Sequence, residues 1–353
     1  MKQKDTDRTA TMLPIAGLVL AMIGLSPTSA AQAQSVEQFY SGRQVKLFVG
    51  SSAGTGYDVY ARIVGRFMSR HLPGNPLIIT PNMPGAGGII VANYLYNVAA
   101  RDGSEIAMLP RGAATQPLLD PKDQAPKYVA TKFNWIGTPQ QEVGLLLVRQ
   151  PSPIQSIADV KTRELILAST SSISPSSYYP KVMNKLLGTK FKVVEGYKSS
   201  QESLLALERG EVEGHSSGSS SAPLRERIAP WIKEGKVKIL AQIGLEKDRD
   251  YPDVPLIMDL AATNDDRRVM ELVFTQQLMA WPISAPPGVP ADRVQALRDA
   301  FDAAMKDPEF LAEAARQKLV INPVSGKKIA ELLDRVYATP QELLDRVTAL
   351  STQ

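Results

Sequence analysis

The stretch Glu213-Gly214-His215-Ser216-Ser217-Gly218 contains a Gly-x-Ser-x-Gly pattern, the sharp turn on which α/β-hydrolases present a nucleophilic serine. Such a hydrolase needs an acid and then a histidine after the serine in chain order. The chain has two histidines, His71 far upstream and His215 beside the serine itself, so no histidine follows Ser216. The small residues around Ser216 read better as a crossing strand that leaves room for a ligand, and a Ser216 esterase is the least favoured function. Two histidines and no cysteine leave little for a transition metal. There is no His-Glu-x-x-His or Walker pattern, and Gly54-Thr55-Gly56 lacks the third glycine of a dinucleotide fingerprint, Val59 standing in its place. We therefore expect no catalytic residue, no metal and no cofactor.

Binding chemistry is better represented. In SSAGTGYD (51–58) the glycines let backbone approach a ligand and Asp58 can cap a helix. PNMPGAGG (81–88) again leads into a helical pattern, and STSSISPSS (169–177) sets a row of hydroxyls just before another. Gly, Ser and Asn also serve ordinary turns, but three such loops opening helices together suggest a site, because helix N-termini aim free N–H groups and a positive dipole end at anions.

These loops need a scaffold, and the periodicity supplies one. Short β-like runs alternate with helical ones almost from end to end, without internal repeats, which is a parallel-sheet α/β pattern. Val45, Leu47 and Val49 alternate as a strand; Tyr60, Ile63, Val64, Phe67 and Met68 recur at helical spacing. Strands are expected at 77–80, 105–109, 144–148, 164–169 and 238–243, with helices at 89–100, around 179–187 and at 224–235. Ser199 and Glu202 form the pattern of a capping box opening a helix that ends at Gly210. From Ala291 onward the chain reads as mainly helical.

The N-terminus bounds the compartment. Lys2, Lys4 and Arg8 precede the apolar run MLPIAGLVLAMIGL and then SPTSAAQAQS, the layout of a secretory signal peptide (1–33), with cleavage expected after Ala33. That run is short of the ~20 residues a membrane span needs. Without those residues, Lys plus Arg falls from 40 to 37 and Asp plus Glu from 36 to 34, a mild and scattered positive balance that argues against nucleic acid. An exported, monomeric protein of the bacterial periplasm is expected. The remaining length, more than one core usually serves, favours two domains.

The order of these segments, with Arg101-Asp102-Gly103, Gly196-Tyr197-Lys198, Tyr251-Pro252-Asp253-Val254-Pro255 and Ala285-Pro286-Pro287-Gly288-Val289-Pro290, resembles one family over nearly the whole mature chain: the Bug-type (TctC-like) receptors of tripartite tricarboxylate transporters. The resemblance implies a two-domain periplasmic binding protein of type II, each domain a mainly parallel sheet flanked by helices. Domain I would comprise 36–139 and 243–353 and domain II 140–242, with hinges near Thr138–Gln140 and Gln242–Gly244. It also implies a receptor that closes on a small organic carboxylate and passes it to membrane permease subunits. A periplasmic carboxylate sensor docking on a membrane signalling protein is the alternative. The ligand-binding residues expected are Gly54, Thr55, Gly56, Tyr57 and Asp58 of the first loop, Asn82, Gly85 and Ala86 of the second and Ser171, Ser172 and Ser174 of the third, to which this sequence's own residues add Arg111, His215 and Ser216. This sequence departs from the family at three of them. Tyr57 replaces the usual small hydroxyl contact and could supply an aromatic wall. Arg111 stands where small or neutral residues are usual and could clamp a carboxylate. His215 stands where amino-acid binders offer an acid, which argues against an ammonium-bearing ligand.

Overall fold

Continuous apolar runs such as Leu145-Leu146-Leu147-Val148, buried throughout, are what a strand covered on both faces requires. The computed structural model describes residues 34–119, 126–171, 174–219 and 222–351; the expected signal peptide (1–33) and Ser172 lie outside them. In chain order run α1 (Val36–Tyr40), β1 (Gln44–Val49), α2 (Gly56–His71), β2 (Leu77–Ile79), α3 (Ile89–Asn97), β3 (Glu105–Met108), α4 (Gln116–Leu119) and β4 (Asn134–Thr138). The middle of the chain is β5 (Gly144–Arg149), α5 (Ile157–Thr162), β6 (Leu165–Ala168), α6 (Pro175–Leu187), β7 (Phe191–Val194), α7 (Ser200–Arg209), β8 (Gly214–Ser216), α8 (Ala222–Lys233) and β9 (Val237–Ile243). Then follow α9 (Asn264–Leu278), β10 (Ile283–Ala285), α10 (Ala291–Ala304), α11 (Pro308–Arg316), β11 (Val324–Ser325), α12 (Gly326–Tyr337) and α13 (Gln341–Ser351).

The strands form two sheets, ordered β11-β4-β10-β3-β1-β2 and β7-β6-β8-β5-β9, flanked by helices in a two-sheet α/β architecture. Both sheets are mixed rather than mainly parallel. In the first, β1 runs parallel to β2 and β3, with Leu47 opposite Ile106, whereas β10 is antiparallel to β3 and β4, and β11 to β4. In the second, β6 is parallel to β7 and β8, and β5 is antiparallel to β8 and β9. The parallel pairs are those joined by helical crossovers, as the connection requires; β10 and β11 return from the C-terminal segment and enter in the opposite sense. The chain passes between sheets after Thr138 and after Ile243. There Gln242 donates from Nε2 to the carbonyls of Tyr251 (2.8 Å) and Val254 (3.0 Å), which fixes the Tyr-Pro-Asp-Val-Pro segment beside it.

Helix α2 buries the expected face, Tyr60, Ile63, Val64, Phe67 and Met68, and is capped by Thr55, whose Oγ1 accepts from the N–H of Asp58. The capping box at α7 is only half formed. Ser199 accepts from the Glu202 N–H (3.2 Å), but the Glu202 carboxylate accepts from the N–H of Lys198 (2.5 Å), one residue before the cap.

Candidate functional site

The carboxyl ends of β6 and β8 and the N-termini of α6 and α7 converge on a cavity of about 480 Å³. Ser174 lines it from the N-cap of α6, Ser176 and Tyr179 from α6 itself, Ser200, Gln201 and Leu204 from α7, His215 to Ser219 from the end of β8, and Arg111 and Glu142 from the other side. The close approach depends on two glycines. A side chain on Gly218 would meet Pro175 at 2.5 Å, and one on Gly144 would meet the carbonyl oxygen of Ser217 at 2.2 Å. A larger groove of about 1010 Å³ is lined by charged residues of α9 and α12 such as Arg268, Glu271, Lys327 and Arg335; it collects none of the residues singled out in the sequence.

One pole of the smaller cavity is made of hydroxyls. Ser169 Oγ lies 2.8 Å from both Ser174 Oγ and Ser176 Oγ, and Ser174 Oγ donates to the carbonyl of Ser171 (2.7 Å). Beside them His215 and Ser216 are 2 % and 0 % exposed, and among the described residues neither His215 Nδ1 nor Ser216 Oγ has a hydrogen-bond partner. Burial holds the imidazole neutral, pulling its pKa down to about 4. Buried polar atoms without partners are costly, and both of these residues line the cavity. Ser217 is engaged differently: its Oγ accepts from the N–H of Leu145 (2.8 Å) and ties β8 to β5.

The opposite pole carries an ion pair. Arg111 Nη1 donates to Glu142 Oε2 (2.5 Å) and Nη2 to Oε1 (3.4 Å). Burial by itself would lower the Arg111 pKa, but the charge and hydrogen bonds of Glu142 more than offset it and leave the pKa raised. The Arg111 N–H donates to Tyr57 Oη (3.0 Å), and its guanidinium lies 5.9 Å from the Trp281 ring. The N–H of Glu142 donates to the Gln277 carbonyl (2.7 Å), while Gln277 Nε2 donates to the Gly218 carbonyl (3.0 Å). The clamp expected of Arg111 is thus already occupied from within the chain.

The two glycine loops do not line this cavity. Asp58 and Asn82 join them to each other. The Asp58 carboxylate accepts from Arg62 (2.7 and 3.0 Å), from the Gly54 N–H (2.9 Å) and from Asn82 Nδ2 (2.9 Å), and Asn82 Nδ2 also donates to the Ser51 carbonyl (3.0 Å). The Arg62 hydrogen bonds lead in lowering the Asp58 pKa to about 2. Thr55 Oγ1 is 2.6 Å from Ser51 Oγ, and Gly85 and Ala86 turn the second loop with φ of 137° and 45°. Gly56 packs against Trp281, which stacks on Tyr60 (4.8 Å) and meets Tyr57 edge-on (4.6 Å). Tyr60 Oη (2.7 Å) and Trp281 Nε1 (3.0 Å) both donate to Gln140 Oε1 in the crossing segment. The loops therefore reach the cavity through Tyr57 and Arg111.

Of the residues expected from sequence, Arg111, Ser174, His215 and Ser216 line the cavity; Gly54, Thr55, Gly56, Tyr57, Asp58, Asn82, Gly85 and Ala86 form the adjoining loop cluster, and Ser171 is exposed beside Ser174. Sequence reasoning missed Glu142, Gln277, Tyr179 and Trp281. Trp281 had a signal, since it stands four residues before the Ala285–Pro290 segment; the others had none.

The family model of the tripartite tricarboxylate transporter family receptor, TctC, matches residues 60–335. The chain belongs to that receptor family. TctC receptors are periplasmic substrate-binding proteins rather than enzymes, and in this member Ser216 has no hydrogen-bonded base among the described residues. A UPF0065 protein encoded in the gbd 5′ region of Cupriavidus necator is 25% identical over 96% of this chain and 97% of its own length. Among solved structures, a TctC solute-binding protein from Polaromonas superposes with a TM-score of 0.68 at 20% identity, covering 87% of this chain and 99% of that one. The R. palustris protein Rpa4515, solved with adipate, gives 0.52 at 20% identity over 87% and 98%. Among the described residues no helix is long and apolar enough to cross a membrane.

Proposed function

We propose that this chain is a periplasmic receptor that binds a small organic carboxylate in the cavity between α6, α7 and β8 and delivers it to the permease subunits of a tripartite tricarboxylate-type transporter. The observation that carries this reading is a pair of buried atoms without a partner among the described residues, His215 Nδ1 and Ser216 Oγ, beside the hydroxyl cluster of Ser174 and Ser176. A carboxylate accepts hydrogen bonds only, and this pole offers donors: hydroxyls, an imidazole N–H in one tautomer, and two helix N-termini whose dipoles favour negative charge. Micromolar affinity, about −8 kcal/mol, lies within reach of a few charge-assisted hydrogen bonds and the apolar wall of Tyr179, Leu204 and Leu224. The adipate held by Rpa4515 supports the ligand class.

Export follows in this reading from the signal-peptide pattern of residues 1–33. Residues 36–139 with 243–353 and residues 140–242 act as two lobes that close by bending at the two crossing segments. The loop cluster around Asp58 and Asn82 then forms the second wall, with Tyr57 facing the ligand. Closure is a population shift driven by contacts the ligand makes only in the closed form. The test is a thermal-shift screen of the mature protein against organic acids, followed by calorimetry on the hits. Stabilisation by carboxylates and not by their amides or alcohols is expected; no stabilisation by any organic acid refutes the reading.

A further inference from the structure

We propose that Glu142 sets how many carboxylates this cavity accepts: its own carboxylate occupies the Arg111 fork, so the site takes a monocarboxylate with an apolar body and disfavours a dicarboxylate. The proposal rests on the reading of the cavity as a carboxylate site and adds the ligand subclass.

The charges facing the cavity carry the argument. Arg111 is paired end-on with Glu142 through Nη1 and Nη2, and the Glu142 side chain is 11 % exposed against 33 % for the arginine. Arg227, the other cation of the lining, donates to Glu208 (3.0 Å). His215 is neutral. Each lining cation among the described residues thus already faces a protein carboxylate. One ligand carboxylate can be held by the neutral donors of the serine pole. A second would have to displace Glu142, leaving that acid buried and unpaired, or lie beside it as a like charge in a poorly solvated space. The Glu142 backbone is anchored by its N–H on the Gln277 carbonyl at 2.7 Å, and its carboxylate by the two Arg111 hydrogen bonds that it would forfeit on swinging away. Tyr179, Leu204 and Leu224 offer the rest of the ligand an apolar wall.

The test compares chain-matched acids, hexanoate with adipate and octanoate with suberate, by calorimetric titration of the wild-type protein and Glu142→Gln. The wild type is expected to bind the monocarboxylate of each pair at least about tenfold more tightly, and Glu142→Gln to shift the ratio toward the dicarboxylate by at least about tenfold, 1.4 kcal/mol. Arg111→Gln/Glu142→Gln removes both charges, guards against misfolding of the single variant, and should show no such shift toward the dicarboxylate. A wild-type preference for dicarboxylates, or the same ratio in wild type and Glu142→Gln, overturns the role of Glu142 while leaving the carboxylate receptor standing. If folded wild type binds neither series, the carboxylate reading fails and this one with it.

Discussion

Acidifying the protein from about pH 7 to about pH 4 should destabilise it through His215. The imidazole is buried and neutral, with its pKa pulled down to about 4 from an ordinary 6.5 by loss of solvent. Between those values the unfolded chain binds a proton that the folded chain refuses, so stability rises with pH there and is lost as the pH falls. The contribution is complete above about pH 6.5 and gone by about pH 4; at roughly 1.4 kcal/mol for each pH unit, the loss is about 3 kcal/mol. Urea unfolding of the wild type and of His215→Gln across this range isolates the effect, because every other titrating group is common to both. The wild type should lose about 3 kcal/mol more than the variant between the two limits, with the difference opening below pH 6.5. Parallel curves, or a ring resonance titrating near 6.5 in the folded protein, would refute the claim that burial controls this residue.

Other consequences can be checked separately. Ser216→Ala should weaken the best carboxylate found by about 1.5–3 kcal/mol in calorimetry, the range for a hydrogen bond to a charged group, and the wild type should hydrolyse no activated ester above background. Asp58, held near pKa 2 against an ordinary 3.8, stabilises the fold above about pH 4 and loses that contribution as the pH falls through 2; Asp58→Asn should cost on the order of 2 kcal/mol at neutral pH in urea unfolding and flatten the acid limb. Gly144→Ala should lower stability by about 1–3 kcal/mol, because the added carbon would meet the Ser217 carbonyl oxygen at 2.2 Å; a melting temperature equal to wild type would show that β5 and β8 can separate freely. Trp281 touches the first loop, Arg111 and the crossing segment, so saturating ligand should change tryptophan fluorescence in the wild type and not in Trp281→Phe.

Much of the scaffold was written in local pattern. The face of α2, the span of α6 around 179–187 and the apolar run Leu145–Val148 of β5 were legible because each depends on a repeat of a few residues, and burial follows the repeat. The serine loop and the His215-Ser216 pair were legible as polar residues placed at strand ends and helix starts. Pairing across the chain was not. Strand β10 is three residues long, too short to carry a period, and its antiparallel place between β3 and β4 exists only because segments near 107, 135 and 284 meet. Asp58 and Asn82 were recognised by type; Arg62 lies one helical turn from Asp58, but only tertiary contact brings Asn82 to both. Arg111 stood out as a cation at a strand end, yet whether its fork faces a ligand or the protein depends on a carboxylate 31 residues later. Residue types and short periods determine which groups are available; only the meeting of distant segments decides which of them are already satisfied and which are left, like Ser216, for something to bind.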